Sequence, residues 1–212
     1  MAHSSTITST TKSTVTSNIT TLDLLRHGKL ETPGIFCAEA STPVSAEGMQ
    51  DLTNTTKDGS WDIIISSPQQ RCVVFAQKLS KDKNCPLVID DRFKEMNFGD
   101  WVGKKSDELW QQYPEQYQQL WQTPDDFVAI NGESMQQFAE RIHSGLQDIL
   151  SSYQNQSILV ITHGGVIRQV LSKALDLDTL AMLKFSIHYA QLNRLFCYED
   201  GNFSLEFLGR KN

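Results

Sequence analysis

The chain has 212 residues, of which 39% are hydrophobic, and its formal net charge is −6 at pH 7. This length and composition suit one domain with a sizeable core. The negative charge argues against a general attraction to nucleic acid or anionic membranes, and no stretch approaches the ~18 apolar residues of a transmembrane helix. We therefore expect a cytoplasmic protein with no nucleic-acid or membrane partner.

The four cysteines are dispersed and contain no CxxC pair; they are Cys37, Cys72, Cys85 and Cys197. No histidine lies near them at the spacing of zinc ligands, and no carboxylate cluster has the spacing of a metal site. Dispersed cysteines of this kind are typical of reduced thiols in the cytosol. We expect no metal and no cofactor.

The first 17 residues, MAHSSTITSTTKSTVTS, are rich in serine and threonine. They contain neither the apolar run of a secretory signal nor the arginine of a transit peptide. Polar low-complexity segments bury too little apolar surface to fold. We predict a flexible tail over residues 1–17 and one folded domain over residues 18–212.

Apolar strands alternate with helical patterns along the rest of the chain. The predicted strands are TLDLL, WDIIISS, PLVID and SILVITH, followed by a hairpin of QLNRLFCYED and FSLEFLG around Gly201-Asn202. The predicted helices are SAEGMQDLTNTTK capped by Ser45, PQQRCVVFAQKLS opened by Pro68, ESMQQFAERIHSGLQDILSSY and GGVIRQVLSKAL. Residues 92–133 are predicted to be irregular, with the short helices SDELWQQY and PEQYQQLWQ. Apolar strands separated by helices indicate an α/β protein with a mostly parallel sheet covered on both faces.

Binding sites of such sheets form beyond the carboxyl ends of the strands. Two cationic residues, Arg26 and His27, and the flexible Gly28 directly follow the first strand. The other polar residues expected at this edge are Ser66, Ser67, Arg71, Arg92, Glu95 and His163, the last followed by the glycine pair 164–165.

This set of side chains suits a phosphate group. Guanidinium groups bind phosphate bidentately, and the first N–H groups of a helix bind anions. A neutral imidazole can attack phosphorus, and a partly buried glutamate can hold a proton for the leaving oxygen. We interpret His27 as the attacking group, Arg26 as a clamp, and Gly28 as the residue that lets the backbone approach the phosphate.

Five motifs occur in order between about Thr21 and Asn193: LLRHGK, SSPQQRC, FKEMNFGDWVGK, INGES and VITHGGVIR. Together they resemble the histidine phosphatase superfamily, which has the phosphoglycerate-mutase-like fold. The resemblance implies a three-layer α/β/α sandwich with a mostly parallel central sheet, and a metal-independent reaction through a phosphohistidine.

The resemblance also implies roles for the residues. His27 is then the phosphorylated nucleophile, Glu95 the proton donor, and His163 the group that stabilises the transferring phosphoryl. The phosphate-binding residues are then Arg26, Arg71 and the backbone N–H of Gly164. The patterns E-M-x-F-G-x-W-x-G and SSP-x-x-R-C look most similar to the α-ribazole-phosphatase-like small phosphatases of cobalamin synthesis, which makes α-ribazole 5′-phosphate the best single substrate prediction.

The segment KLETPG after RHG departs from the family pattern, because many members carry there an asparagine that contacts the phosphate. Thr32 is the candidate to replace it, and Lys104 and His188 are further candidates for substrate contact. Aromatic residues between 101 and 127 either anchor short helices to the core or cap the pocket. We expect Arg168, five residues after His163, to form a structural or interface salt bridge.

The sequence therefore predicts a hydrolase that acts on small-molecule phosphomonoesters in two steps. One alternative is phosphoglycerate-mutase-type phosphoryl transfer, which a short chain with few arginines outside the motifs disfavours. Another is a non-catalytic phosphate-binding regulatory module, which the intact set of motif residues disfavours. A homodimer is left open.

Overall fold

A six-stranded sheet forms the centre of the computed structural model, which describes residues 18–32 and 34–210. The tail predicted over residues 1–17 lies outside the described residues. The strand order is β3-β2-β4-β1-β5-β6. The strands are β1 (Ile19–Arg26), β2 (Ile63–Ser66), β3 (Leu87–Ile89), β4 (Ser157–Thr162), β5 (Leu192–Tyr198) and β6 (Phe203–Arg210). The first four are parallel neighbours, and β5 and β6 add an antiparallel hairpin beside β1.

The described residues also form α-helices and short 3-10 turns. The helices are α1 (Ala46–Thr56), α2 (Gln70–Lys83), α3 (Ser106–Gln112), α4 (Pro114–Gln122), α5 (Met135–Ser152), α6 (Gly164–Ala174) and α7 (Thr179–Met182). The 3-10 turns are Asp91–Phe93, Gly99–Trp101 and Pro124–Asp126. None of the helices within these residues is long and apolar enough to cross a membrane.

Alternate residues of each central strand face opposite layers. In β4, Ile158 and Val160 join the core under α5 and α6, whereas Leu159 and Ile161 join the core under α1 and α2. Because both faces of such a strand are buried, every residue can bury an apolar side chain, and the strand's sequence is a continuous apolar run. The predicted three-layer α/β/α sandwich with a mostly parallel sheet is confirmed.

The start of α2 differs from the prediction, because the helix begins at Gln70 and not at Pro68. Gln69 has an extended backbone, and its N–H donates to the Ser67 hydroxyl at 3.3 Å. The Gln69 side-chain oxygen accepts from Arg71 Nη2 at 2.9 Å. The segment between β2 and α2 is therefore not part of the helix, and its side chains form hydrogen bonds at the carboxyl edge of the sheet. By contrast, Ser45 caps α1 as predicted, by accepting from the N–H of Gly48 at 3.1 Å.

Asp23, the charged residue inside the first strand, is fully buried. Arg194 of β5 donates to both carboxylate oxygens of Asp23, at 2.7 and 2.8 Å, and Trp61 Nε1 donates to Oδ2 at 2.8 Å. A buried carboxylate is tolerated when it is paired and hydrogen-bonded. This pair therefore joins β1 to the antiparallel hairpin.

Replacing Arg194 by alanine leaves the Asp23 carboxylate buried with the Trp61 donor alone. We expect the free energy of unfolding to fall by about 3 kcal/mol, measured by urea denaturation near pH 7. Lys78→Ala is the control, since its ion pair with Asp82 is half exposed and should contribute less than about 1 kcal/mol. An equal loss of unfolding free energy in the two variants would contradict the stabilising role of the buried pair between Asp23 and Arg194.

Candidate active site

The parallel register brings two histidines together at the carboxyl ends of the strands. Arg26 of β1 lies opposite Thr162 of β4, so the next residues in each chain segment, His27 and His163, are neighbours. Their ring centroids are 5.3 Å apart, and both side chains are buried. Two of the predicted site residues therefore meet because their strands pair in parallel.

A cavity of about 180 Å³ opens at this edge. Its polar wall contains Arg26, His27, Arg71, Glu95, Gly164 and Arg168. Much of the remaining wall is apolar and includes Phe36, Phe98, Trp121 and Met182. Of the predicted catalytic and phosphate-binding residues, all but His163 line the cavity, and the His163 ring lies 5.3 Å from that of His27, between centroids.

The hydrogen bond of His27 fixes its tautomer. Nδ1 lies 2.9 Å from the carbonyl oxygen of Gly28, which can only accept, so the proton is on Nδ1 and the lone pair is on Nε2. Burial, followed by the positive charges of Arg26 and Arg71, lowers the pKa of His27 well below its ordinary value. His27 is therefore neutral near pH 7, with a free nitrogen that can act as a nucleophile.

The hydrogen bonds of His163 fix the opposite tautomer from that of His27. Arg71 Nε, which can only donate, lies 3.2 Å from His163 Nδ1, so Nδ1 is the acceptor. Nε2 lies 2.8 Å from the Ser67 hydroxyl and carries the proton. Burial and then the charge of Arg71 lower the pKa of His163 well below its ordinary value. The second imidazole is therefore neutral too.

Neither Arg26 nor Arg71 has a carboxylate partner among the described residues. Arg71 Nη1 donates to the Glu39 carbonyl at 2.9 Å. Arg26 Nη1 donates to the Ile187 carbonyl at 2.6 Å, and its guanidinium lies 4.1 Å from the ring centroid of Tyr189. Arg26 Nε is buried and has no partner in the described part of the chain. Two uncompensated cations at the cavity favour an anionic ligand.

The Glu95 carboxylate is fixed at the cavity wall by two backbone donors. Oε2 accepts from the N–H of Gly165 and Oε1 from the N–H of Met96, both at 3.1 Å. A Cβ atom at position 165 would lie 2.4 Å from Glu95 Oε1, so only glycine there leaves room for the carboxylate. Gly164 is the first residue of α6, and its N–H has no acceptor within the helix.

Gly28 is required by packing, which differs from the reason expected from the sequence. A Cβ atom at position 28 would lie 2.5 Å from the carbonyl oxygen of Gly48 in α1. In the same way, a Cβ at position 48 would lie 2.5 Å from the backbone of Lys29. The two glycines let the segment after β1 pack on the first turn of α1.

The three predicted substrate-contact residues are not among the described residues that line this cavity. Thr32 and His188 are exposed, and Lys104 is half-buried, with its carbonyl accepting from Phe36 N–H at 2.9 Å. None of the three lines the cavity formed by the described residues.

Arg168 is a cavity residue that the sequence reasoning assigned to a salt bridge. Its Nε donates to the Phe185 carbonyl at 3.0 Å, and it forms no ion pair with any described residue. His163 has an extended backbone and only caps α6, so the helical count starts at Gly164. Arg168 is four residues after Gly164 and shares its face. Helical spacing counted from Gly164, the first residue of α6, predicts this placement of Arg168.

The aromatic segment between 101 and 127 serves both of the roles left open. Trp101 is fully buried in the core with Phe127. Trp121, together with Leu120, lines the cavity from α4. The segment therefore anchors to the core and also supplies part of the apolar wall.

No group of three or more His, Cys, Asp or Glu side chains within residues 18–32 and 34–210 is arranged to hold a metal ion. The nearby thiols do not add such a group: Cys72 Sγ lies 3.6 Å from His163 Nε2, and Cys37 lines the cavity.

The family model of the histidine phosphatase superfamily (branch 1) matches residues 22–210. The chain belongs to this superfamily. Among its curated relatives is the adenosylcobalamin/alpha-ribazole phosphatase of Escherichia coli K12, which is 28% identical over 169 residues, covering 77% of this chain and 83% of the relative. The uncharacterized phosphatase PhoE of Bacillus subtilis is 29% identical over 160 residues, covering 73% of this chain and 77% of the relative.

A solved structure from the superfamily supports the same assignment. The alpha-ribazole phosphatase of Shigella flexneri superposes with a TM-score of 0.80 at 26% sequence identity, covering 90% of this chain and 96% of that one. Together with the phosphatases among its relatives, this identifies the protein as a phosphatase.

The two neutral imidazoles make the stability of this phosphatase depend on pH. Below about pH 6.5, histidines of the unfolded chain take up protons that the folded protein does not bind on His27 and His163, so stability falls as the pH falls. Each histidine contributes a slope of up to about 1.4 kcal/mol per pH unit. We expect His27→Gln to flatten the stability curve by about that amount below pH 6, measured by urea denaturation; slopes equal to the wild type would contradict it.

Gly165→Ala tests the placement of the Glu95 carboxylate. The added methyl group requires the carboxylate to move away from the N–H of residue 165, which the flexible end of the glutamate side chain allows; Phe138 Cζ, 3.2 Å from the added Cβ, has to shift by only a few tenths of an ångström. We expect phosphate release to slow by about tenfold or more with little change in the melting temperature. Unchanged turnover would show that the carboxylate position is unimportant.

Proposed function

We propose that this phosphatase hydrolyses phosphomonoesters through a phosphohistidine at His27, without a metal ion. The observation that carries the proposal is the state of His27. Its Nδ1–H is fixed on the Gly28 carbonyl, its Nε2 lone pair is free, and it lies beside Arg26 and Arg71, which have no carboxylate partners. The arginines supply the positive charge that a metal ion provides in other phosphoryl-transfer sites.

In the first step, the lone pair of His27 Nε2 forms a bond to phosphorus, and the bond between phosphorus and the ester oxygen breaks. The protonated carboxyl of Glu95 gives its proton to that oxygen, so the leaving group departs as a neutral alcohol. Arg26, Arg71 and the N–H of Gly164 bind the phosphoryl oxygens. His163 stabilises the transferring group through Arg71, which it orients through Nδ1 while its Nε2–H is engaged by Ser67.

In the second step, a water molecule attacks the phosphohistidine. The Glu95 carboxylate takes a proton from the water, the new P–O bond forms, and the P–N bond to His27 breaks. The products are inorganic phosphate, neutral His27 and a Glu95 that carries the proton for the next leaving group. One carboxyl group therefore acts first as an acid and then as a base.

α-Ribazole 5′-phosphate is the substrate that we propose first. Two observations support it: the relatives named as alpha-ribazole phosphatases, and the apolar wall formed by Phe36, Phe98 and Trp121. Aromatic side chains suit a leaving group with a flat apolar body.

Arg168 favours a second candidate function, phosphoglycerate-mutase-type phosphoryl transfer. A mutase has to hold a second acidic group of its substrate, and Arg168 is a cation on the cavity wall with no ion pair to a described residue. In that case the phosphoryl group would return to the substrate instead of passing to water.

Phosphate release from α-ribazole 5′-phosphate, 3-phosphoglycerate and 4-nitrophenyl phosphate in the presence of EDTA tests the proposal. We expect turnover by the wild type and none by His27→Ala, with His143→Ala as the matched control because His143 lies on α5 away from the cavity. Substrate radiolabelled in its phosphate should leave acid-labile label on the wild type and on His143→Ala, and none on His27→Ala. Turnover by His27→Ala would contradict the proposal, and so would a loss of wild-type turnover when EDTA is present. Conversion of 3-phosphoglycerate to 2-phosphoglycerate without phosphate release would favour the mutase.

A further inference from the structure

Arg141 of α5 contacts the backbone on which Glu95 lies. Residues 94–98 form neither a helix nor a strand, so their carbonyl groups need hydrogen-bond donors from elsewhere. Arg141 Nη1 donates to the carbonyls of Arg92 at 2.6 Å and Lys94 at 2.8 Å, and Nη2 donates to the carbonyl of Glu95 at 3.1 Å. One guanidinium therefore binds the chain at Glu95 and at two nearby positions that precede it.

Glu133 of the INGES motif completes this arrangement. Its carboxylate accepts from Arg141 Nε at 3.0 Å and from Nη2 at 2.7 Å. Its Oε1 also accepts from the N–H of Asn97 at 2.6 Å, and its own N–H donates to the Asn97 carbonyl at 3.0 Å. All five N–H donors of Arg141 are engaged, and the ion pair holds the chain on both sides of Glu95.

Neither Arg141 nor Glu133 lines the cavity at His27; both line a second cavity, which shares Glu95 with the first. Their side chains are only 23% and 15% exposed. An ion pair shielded to this degree keeps a defined geometry, since water competes less for its hydrogen bonds. The pair thus contacts Glu95 through its backbone, and the positive charge of Arg141 makes a smaller contribution to the lowered pKa of His163, behind burial and the charge of Arg71.

We propose that Arg141 and Glu133 are positioning residues that hold Glu95 within reach of the leaving oxygen. The proposal rests on the proposed function, in which Glu95 is the proton donor. A general acid acts only within hydrogen-bond distance of the atom that it protonates. An irregular segment does not provide that precision by itself, so the guanidinium and the carboxylate provide it.

The leaving group of the substrate gives a readout that a merely structural role does not change. An alkoxide needs a proton to leave, whereas 4-nitrophenolate leaves readily without one. Loss of proton donation therefore slows an alkyl phosphate much more than 4-nitrophenyl phosphate. A distorted cavity or weaker phosphate binding slows both alike. The value of kcat/KM covers the steps through the first P–O cleavage, so its ratio for the two substrates reports on Glu95.

The experiment measures kcat/KM for glycerol 2-phosphate and 4-nitrophenyl phosphate in Arg141→Met, Arg141→Lys and Glu133→Gln. Glu95→Gln defines the full effect of losing the donor. We expect Arg141→Met and Glu133→Gln to lower the alkyl-to-aryl ratio by about tenfold or more. Arg141→Lys has three donors instead of five and should fall between these variants and the wild type.

Arg92→Met is the matched control. It removes a guanidinium three residues before Glu95 together with its ion pairs to Asp90 and Asp148, and it keeps the backbone carbonyl that Arg141 binds. We expect its alkyl-to-aryl ratio to equal that of the wild type. Thermal unfolding identifies folded variants, and Glu133→Gln and Arg141→Lys carry the test where Arg141→Met does not fold.

The outcomes separate the two proposals. Equal slowing of both substrates in the Arg141 and Glu133 variants, with a changed ratio in Glu95→Gln, overturns the positioning role alone. An unchanged ratio in Glu95→Gln overturns the donor role of Glu95 and the positioning role with it. The phosphohistidine at His27 is tested by its own variant and does not depend on either result.

Discussion

The parallel pairing of β1 with β4 is the constraint on which the site depends. Because Arg26 lies opposite Thr162, the residues that follow the two strands place one imidazole beside the other. Parallel pairing also directs the end of β2 to the same edge, where Ser67 reaches His163. The site is therefore built on strands buried on both faces, the most rigid part of such a fold.

The close approach of two arginines and two histidines at this edge also determines which of them carry a charge. Four nitrogen-bearing side chains that can be cationic share one buried edge, and arginine does not lose its proton. The positive charge therefore stays on Arg26 and Arg71, and both histidines are neutral. Without a carboxylate partner, the two guanidiniums lack compensation until an anion enters. The electrostatics of the folded chain are thus arranged for a phosphate group before the substrate binds.

The two sides of the cavity are built differently. His27 and His163 extend directly from strands, whereas Glu95 lies within residues 94–98, which form neither a helix nor a strand. Its carboxylate is held by Gly165 on one side, and its backbone is held by Arg141 on the other. Long-range hydrogen bonds from two helices thus give a loop residue a fixed position, which loops by themselves do not provide.

The sequence by itself determined the class of the fold and most of the site. Continuous apolar runs between helical patterns indicate a parallel sheet wherever they occur, because the pattern reflects burial of both faces. Residues such as His27 and His163 could be assigned to one edge since polar residues directly after parallel strands meet there. The motifs then identified the superfamily, which the family comparison confirmed.

Only the tertiary structure decided the features that depend on contacts between distant segments. The tautomer of His27 follows from the direction of one carbonyl, and the need for Gly28 follows from the approach of α1. The place of Arg168 on the cavity wall depends on where α6 begins, and the bonds of Arg141 depend on how α5 packs beside the Glu95 segment. Periodicity records whether a position is buried, but it does not record its neighbours, and these features are set by the neighbours.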